Sequence, residues 1–206
     1  MGIPITPLLE QEHLPHKYGE IYLIEEFDNP LTDDYKQLKD YVLNSMDMGW
    51  YHYSETTQLT SKYRKFDEKD LTFYSHKILQ RPDINQGHPY SEIKSRHFHD
   101  TYKVIQQIFD HNNTPLNVIY RINFNCTHPQ RVNQSPWHRD LEIPHKNFIL
   151  YMSKFTDGYT YVKKGDEIEK SKTEEDGIII FDNELHCHAP PKKIGERRIV
   201  LVACWL

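Results

Sequence analysis

One tripeptide has the residue types and spacing for metal chemistry: His138-Arg139-Asp140. In extended backbone, residues i and i+2 project to the same side. An imidazole and a carboxylate can therefore aim at one point. With a second imidazole from elsewhere in the chain they form a two-histidine, one-carboxylate face. Such a face holds a divalent ion and leaves positions open, the arrangement found in non-haem Fe(II) oxygenases. The pattern His-x-Asp/Glu occurs once in the chain, yet 13 His and 30 Asp+Glu residues make a chance occurrence ordinary. Taken alone, the tripeptide reads more readily as a salt bridge in a surface loop.

The C-terminal segment, residues 177–206 (GIIIFDNELHCHAPPKKIGERRIVLVACWL), changes the weighing. An apolar strand ends at Phe181-Asp182, a short turn leads to His186, Pro190 and Pro191 follow, and Arg197-Arg198 open a last apolar strand. Together with the tripeptide, this resembles the 2-oxoglutarate/Fe(II)-dependent oxygenase superfamily, most closely its small prolyl-hydroxylase-like and phage-type members. The pattern there is H-x-D, a distal His some tens of residues on, and an Arg beyond it at the start of a strand. Phe148-Ile149-Leu150-Tyr151-Met152 and Asp157-Gly158-Tyr159-Thr160 resemble the strand and D-G-x-T turn that follow H-x-D. The resemblance covers residues 117–206; the first half carries no family motif.

The resemblance implies that His138, Asp140 and His186 hold Fe(II). His186 is preferred to His188 as the distal ligand, because Pro190 lies four residues on and Arg197 eleven, as in the family. His188 is then a pocket or supporting residue, or an ordinary exposed side chain. The cosubstrate, 2-oxoglutarate, needs a cation for its far carboxylate. A guanidinium suits, since its planar fork binds a carboxylate bidentately and stays charged. Strand alternation sends one of Arg197 and Arg198 inward. Arg197 is favoured for sharing parity with Trp205, and a basic strand end with Lys192-Lys193 is the bland alternative. Tyr120, Asn123 and Tyr151 are candidate hydrogen-bond donors to the cosubstrate. Arg121, Asn123 and Asn125 share one strand face, which is either a polar pocket or the solvent face of an edge strand. Trp137 flanks the entrance or packs in the core.

No catalytic residue beyond the metal ligands is implied. The expected cofactors are Fe(II), 2-oxoglutarate and O2, with ascorbate as activator. The expected reaction hydroxylates a peptidyl side chain such as proline, or an amino acid, and releases succinate and CO2. Two rivals use the same ligands: a cupin-like metal-binding or sensor protein without turnover, and a zinc hydrolase. The first has no reason to place Arg beyond the distal His, and the second needs a Glu base that no motif positions.

The elements that must position these residues divide near residue 115. Before it, Thr32-Asp33-Asp34 reads as a helix N-cap with acid in the first turn. Tyr35, Leu38, Tyr41, Val42 and Met46 follow at helical spacing. A strand is expected over 20–25, and a second helix from Ser91-Glu92 through Ile93, Phe98, Tyr102, Ile105, Ile108 and Phe109. Beyond it, strands are expected over 117–125, 147–153, 159–163, 177–182 and 198–206, separated by Gly-containing turns. This is an α+β protein: a double-stranded β-helix (jelly-roll, cupin-like) core over 116–206 with supporting helices and loops over 1–115, in a single domain of 206 residues.

A net charge of −5 gives no general attraction for phosphate backbones or anionic membranes, so nucleic acid is disfavoured and the partner is a peptide or small molecule. Three cysteines without C-x-x-C argue against a disulfide framework and fit a reducing, cytoplasmic setting. No run of apolar residues is long enough to span a membrane. Met1-Gly2-Ile3-Pro4-Ile5-Thr6 fits the loose myristoylation pattern, a short motif that chance explains better.

Overall fold

The chain's last strand, β11 (Arg198–Trp205), is buried at every residue. A strand with both faces covered reads as a continuous apolar run. Its two faces meet different cores. Ile199, Leu201, Ala203 and Trp205 join a cluster with Tyr35, Leu38, Val42, Val104, Ile105, Ile108 and Phe109 of two helices. Val200 and Val202 join a second cluster with Ile149, Tyr151, Phe155, Val162, Ile179 and Phe181. The same alternation runs through β6 (Lys146–Tyr151) and β9 (Ile178–Asp182), whose Phe148, Leu150, Ile178 and Ile180 face the helices.

The structure, a computed structural model, describes residues 22–56, 62–63, 65, 68–83 and 87–206. The Met1–Thr6 pattern lies outside the described residues. The large sheet has the order β1 (Glu25–Phe27), β9, β6, β11, β5 (Ile119–Thr127), β3 (Phe73–Gln80), β2 (Tyr51–Tyr53), with β4 (Glu92–Ile93) also paired to β3. The small sheet is β10 (Leu185–His188), β7 (Thr160–Lys164), β8 (Glu167–Lys170). All pairings are antiparallel. Helices α1 (Asp33–Asn44) and α2 (Phe98–His111) cover one face of the large sheet. The small sheet supplies Val162 to the cluster on the other face, inside the jelly roll.

Thr32 caps α1 as its sequence suggests, its Oγ1 accepting from Tyr35 N at 3.2 Å. Met46 lies beyond the helix end and is fully exposed. The second helix starts later than expected, at Phe98. Glu92 and Ile93 pair with Gln80 and Leu79 instead, and Ile93 stays exposed, so it was never part of an apolar helical stripe.

The largest departure lies in the first half, where a strand over 20–25 was expected besides helices and loops. Its described strand β1 overlaps the expected one at Glu25, with residues 20–21 outside the described residues, and β2, β3 and β4 join the large sheet unexpectedly. Among them β3 is long and pairs with β5 at its centre. Its sequence, FYSHKILQ, lacks clean alternation because one side carries half-buried polar residues. Its strand state comes from pairing with β5, about fifty residues on, which no local pattern reveals. The small-sheet strands β8 and β10 were likewise not expected, being short and polar.

Phe109 is the keystone between α2 and the sheet. It is fully buried and meets Trp205 edge-on at 4.6 Å and Phe148 at 5.7 Å. Phe109→Ala is expected to lower stability by about 3–5 kcal/mol. Urea unfolding should show a lower midpoint at unchanged slope; an unchanged midpoint would mean that the helix layer is not coupled to the sheet.

Candidate active site

His138 lies in a loop but is held in extended geometry by an isolated antiparallel bridge to His186 on β10. The two residues exchange main-chain hydrogen bonds, each 2.9 Å from N to O. Their rings stand 4.4 Å apart. His138 Nδ1 is 3.0 Å from Pro136 O, and His186 Nδ1 is 3.2 Å from Glu184 O. A carbonyl only accepts, so each Nδ1 carries a proton, and in the neutral ring the lone pair is then on Nε2. That is how supporting bonds prepare histidines for a metal.

Asp140 stands beside His186, outside the compact group of donor atoms that His138, His186 and His188 form. Its Oδ2 is 3.9 Å from His186 Nε2. Two donors about 2.1 Å from one ion lie at most about 4.2 Å apart, so this pair fits a shared ion. Its Oδ1 accepts from Arg121 Nη1 at 2.5 Å, and Arg81 donates to its main-chain carbonyl. The Cys204 thiol lies 3.7 Å from Oδ2. Burial alone would raise the Asp140 carboxyl, but Arg121, then His186, His138 and Arg81, hold it well below the usual carboxylate range. Burial, with His138 beside it, pushes His186 down to about 3. A carboxylate and neutral imidazoles are the protonation states that bind a divalent cation.

His188 follows His186 on the same face of β10, level with Thr160 of β7. Its ring is 5.3 Å from that of His186 and 5.6 Å from that of His138. Donor atoms of His138, His186 and His188 all lie within 4.8 Å of one another. Burial and Arg198 hold His188 well below the usual imidazole range, so it too is neutral.

Beyond His188 lies a cation. Arg198 is 3% exposed. Its Nε donates to Gly158 O at 2.8 Å and its Nη2 to Thr160 Oγ1 at 3.0 Å. Its guanidinium sits over the Tyr151 ring, 5.5 Å from the centroid. Among the described residues no carboxylate pairs with it. A buried guanidinium with only neutral partners has the charge to take up an anion, since an isolated buried charge is strongly unfavourable. Gly158 makes the approach feasible. Its φ is +66°, and a Cβ there would come within 2.7 Å of the Phe155 ring and 3.2 Å of Arg198 Cδ.

Arg197 is exposed and donates to Leu43 O of α1. The sequence preference for Arg197 is therefore corrected. Its parity with Trp205 is real, but that parity belongs to the helix-covered face of the large sheet; the interior face belongs to Arg198, Val200, Val202 and Cys204.

Other candidates divide the same way. Tyr151 is buried beside Arg198, its hydroxyl donating to Thr160 Oγ1 at 3.0 Å and meeting Ser171 Oγ at 2.9 Å. Asn123 is buried, and with its amide turned so that the oxygen faces Arg121 it accepts from Arg121 Nε and Nη2 at 3.0 Å, an orientation that steadies Arg121. Asn125 accepts from Ser75 Oγ at 2.8 Å. β5 is an interior strand between β11 and β3, which removes the edge-strand alternative for the Arg121, Asn123, Asn125 face. Tyr120 sits where the β5–β11 register slips, and its carbonyl accepts from Ser91. Trp137 is half-buried next to His138. Sequence reasoning missed Arg81, Ser171 and Cys204, and gave Gly158 and Thr160 no role. The spacing Gly158-x-Thr160 was the available clue for the last two.

No protein-family model matches the sequence, and no curated protein does. Solved structures do match in fold. An oxidoreductase of the 2OG-Fe(II) oxygenase family from Burkholderia pseudomallei aligns with TM-score 0.59 at 12% identity, over 82% of this chain and 78% of that one. A prolyl hydroxylase from Trichoplax adhaerens, solved with a hypoxia inducible factor peptide fragment, aligns with TM-score 0.55 at 11% identity, over 89% and 83%. The non-heme alpha ketoglutarate dependent epimerase SnoN of nogalamycin biosynthesis aligns with TM-score 0.53 at 10% identity, over 89% and 77%. At these identities the likeness establishes the jelly-roll fold that such enzymes share.

The Arg121–Asp140 pair carries a stability prediction. Arg121→Met leaves the carboxylate without its main partner and should cost the metal-free protein about 3–5 kcal/mol. Combining it with Asp140→Asn should recover part of that loss. Additive losses in the urea-denaturation cycle would show that the two side chains are not coupled.

Proposed function

We propose that the chain is a non-haem Fe(II)- and 2-oxoglutarate-dependent oxygenase whose metal ligands are His138, Asp140 and His186. What carries the reading is the anion site at Arg198, on the interior face that also bears this ligand group. A metal-binding or sensor protein has no use for a buried guanidinium that no carboxylate among the described residues pairs. A dicarboxylate cosubstrate does, because its far carboxylate has to be neutralised inside an apolar barrel.

The residues divide the work. His138 and His186 present Nε2 lone pairs, with Nδ1 anchored on Pro136 O and Glu184 O. Arg121, steadied by Asn123, fixes one oxygen of Asp140 and leaves the other for the ion. Arg198 neutralises the C5 carboxylate, and Tyr151 stacks under its guanidinium. Val200, Val202, Ile149 and Phe181 wall the interior and exclude water. Bound Fe(II) and 2-oxoglutarate would supply the oxidative chemistry, consuming O2 and releasing succinate and CO2. The substrate class we propose is a peptidyl side chain such as proline, or an amino acid, hydroxylated at carbon. The Trichoplax prolyl hydroxylase, with its peptide, is the fold relative that supports the peptide arm of this reading.

The test is anaerobic titration of the Fe(II)-loaded protein with 2-oxoglutarate, followed by visible charge-transfer absorption, and then succinate release in air. Wild type should form the complex and release succinate. His138→Ala and His186→Ala should abolish both. Arg198→Met should raise the 2-oxoglutarate requirement about tenfold or more, whereas Arg197→Met should leave it unchanged. A wild-type protein that neither forms the complex nor releases succinate across a peptide and amino-acid screen would sink the proposal.

A further inference from the structure

His188 is the imidazole that the two-histidine, one-carboxylate group leaves without a role. It stands between the metal ligands and Arg198, and both neighbours constrain it. Its Nδ1 lies 3.3 Å from Thr160 Oγ1. That hydroxyl already accepts twice: from Arg198 Nη2 at 3.0 Å and from the Tyr151 hydroxyl at 3.0 Å. Arg198 can only donate. A hydroxyl has two lone pairs and one proton. With both lone pairs occupied, Thr160 gives its proton to His188 Nδ1. An Nδ1 that accepts leaves the ring proton on Nε2.

This is the opposite tautomer to that of His138 and His186, whose Nδ1 atoms face carbonyl oxygens. The hydroxyl network behind Thr160 reinforces it. Ser171 Oγ accepts from Thr160 N at 3.0 Å and meets the Tyr151 hydroxyl at 2.9 Å. Ser171 can then donate to Tyr151 and Tyr151 to Thr160, so the relay ends at His188 Nδ1.

We propose that His188 is a cosubstrate-binding residue: an Nε2–H donor, set by Arg198 through Thr160, that hydrogen-bonds an oxygen of the bound dicarboxylate. It rests on the oxygenase reading above and deepens it. A ligand anchored on Arg198 and reaching the metal group passes this imidazole. An Nε2–H offers it a directed donor, and it disqualifies His188 as a further metal ligand, which would need that lone pair. The three-histidine proximity is thus divided by tautomer into two ligands and one donor.

The direct test needs no turnover. Long-range 1H–15N correlation spectra of the metal-free protein, with His188→Gln identifying the resonance, report the ring tautomer. The expected result is Nε2–H for His188 and Nδ1–H for His138 and His186; Nδ1–H at His188 overturns the proposal. In Thr160→Val, where the donor hydroxyl is gone, the Nε2–H preference should be lost, and its retention would remove Thr160 from the argument.

The second test is binding. His188→Val should weaken 2-oxoglutarate binding to the Fe(II)-loaded protein about tenfold, as expected for one hydrogen bond to a charged group, and His188→Gln, which keeps a donor, should recover part of it. Fe(II) affinity without 2-oxoglutarate should be unchanged in both. A loss of Fe(II) affinity would make His188 a ligand and overturn the proposal, as would unchanged 2-oxoglutarate binding in His188→Val. If wild type itself forms no Fe(II)–2-oxoglutarate complex, the oxygenase reading fails instead, a result distinguishable because the tautomer spectrum is read without either.

Discussion

The two-sided burial of β11 is the constraint from which the rest follows. A strand alternates its side chains, and here both sides are occupied. The helices take Ile199, Leu201, Ala203 and Trp205, so the interior receives Arg198, Val200, Val202 and Cys204. Helix packing on one face therefore decides the chemistry on the other. Phe109 against Trp205 holds that register from outside the barrel. A one-residue slip would exchange the two sets and place Arg197 where Arg198 is.

The interior is consequently apolar at its centre and charged at two places. The charges are arranged differently. Asp140 is matched by Arg121, with Arg81 on its main chain, so the carboxylate is settled before any ligand arrives. Arg198 is matched by nothing charged among the described residues and is held only by a carbonyl, a hydroxyl and an aromatic face. One place is structurally complete and orients an oxygen toward His186. The other is incomplete and calls for an anion. That difference, more than the presence of either residue, gives the interior a direction, from a matched carboxylate at one end to an unmatched guanidinium at the other.

Hydrogen-bond accounting sorts the histidines as charge sorts the acid and the guanidinium. Three imidazoles stand within a few ångströms, yet their back-side partners differ: carbonyls for His138 and His186, a saturated hydroxyl for His188. A carbonyl demands a donor and a saturated hydroxyl demands an acceptor. Ring identity alone cannot assign these roles, while the atoms behind each ring can.

The amino-acid sequence by itself determined the local rules: which segments have apolar runs fit for buried strands, where Thr32 caps a helix, and that His138, Asp140 and His186 are spaced as the oxygenase pattern requires. The first two are legible because they depend on neighbours two to four residues apart, and the third because its spacing resembles a family pattern. Only the tertiary structure decided that β3 belongs to the sheet, that the Arg121 face points into the barrel and not to solvent, and that Arg198 is the buried cation. Those outcomes depend on which partner covers which face, and strand parity states that two residues lie on the same side without stating what lies there. The same holds for His188, whose proton position is set by Thr160, Tyr151 and Arg198, residues brought together by the pairing of β10 with β7 and the closure of the barrel over β11.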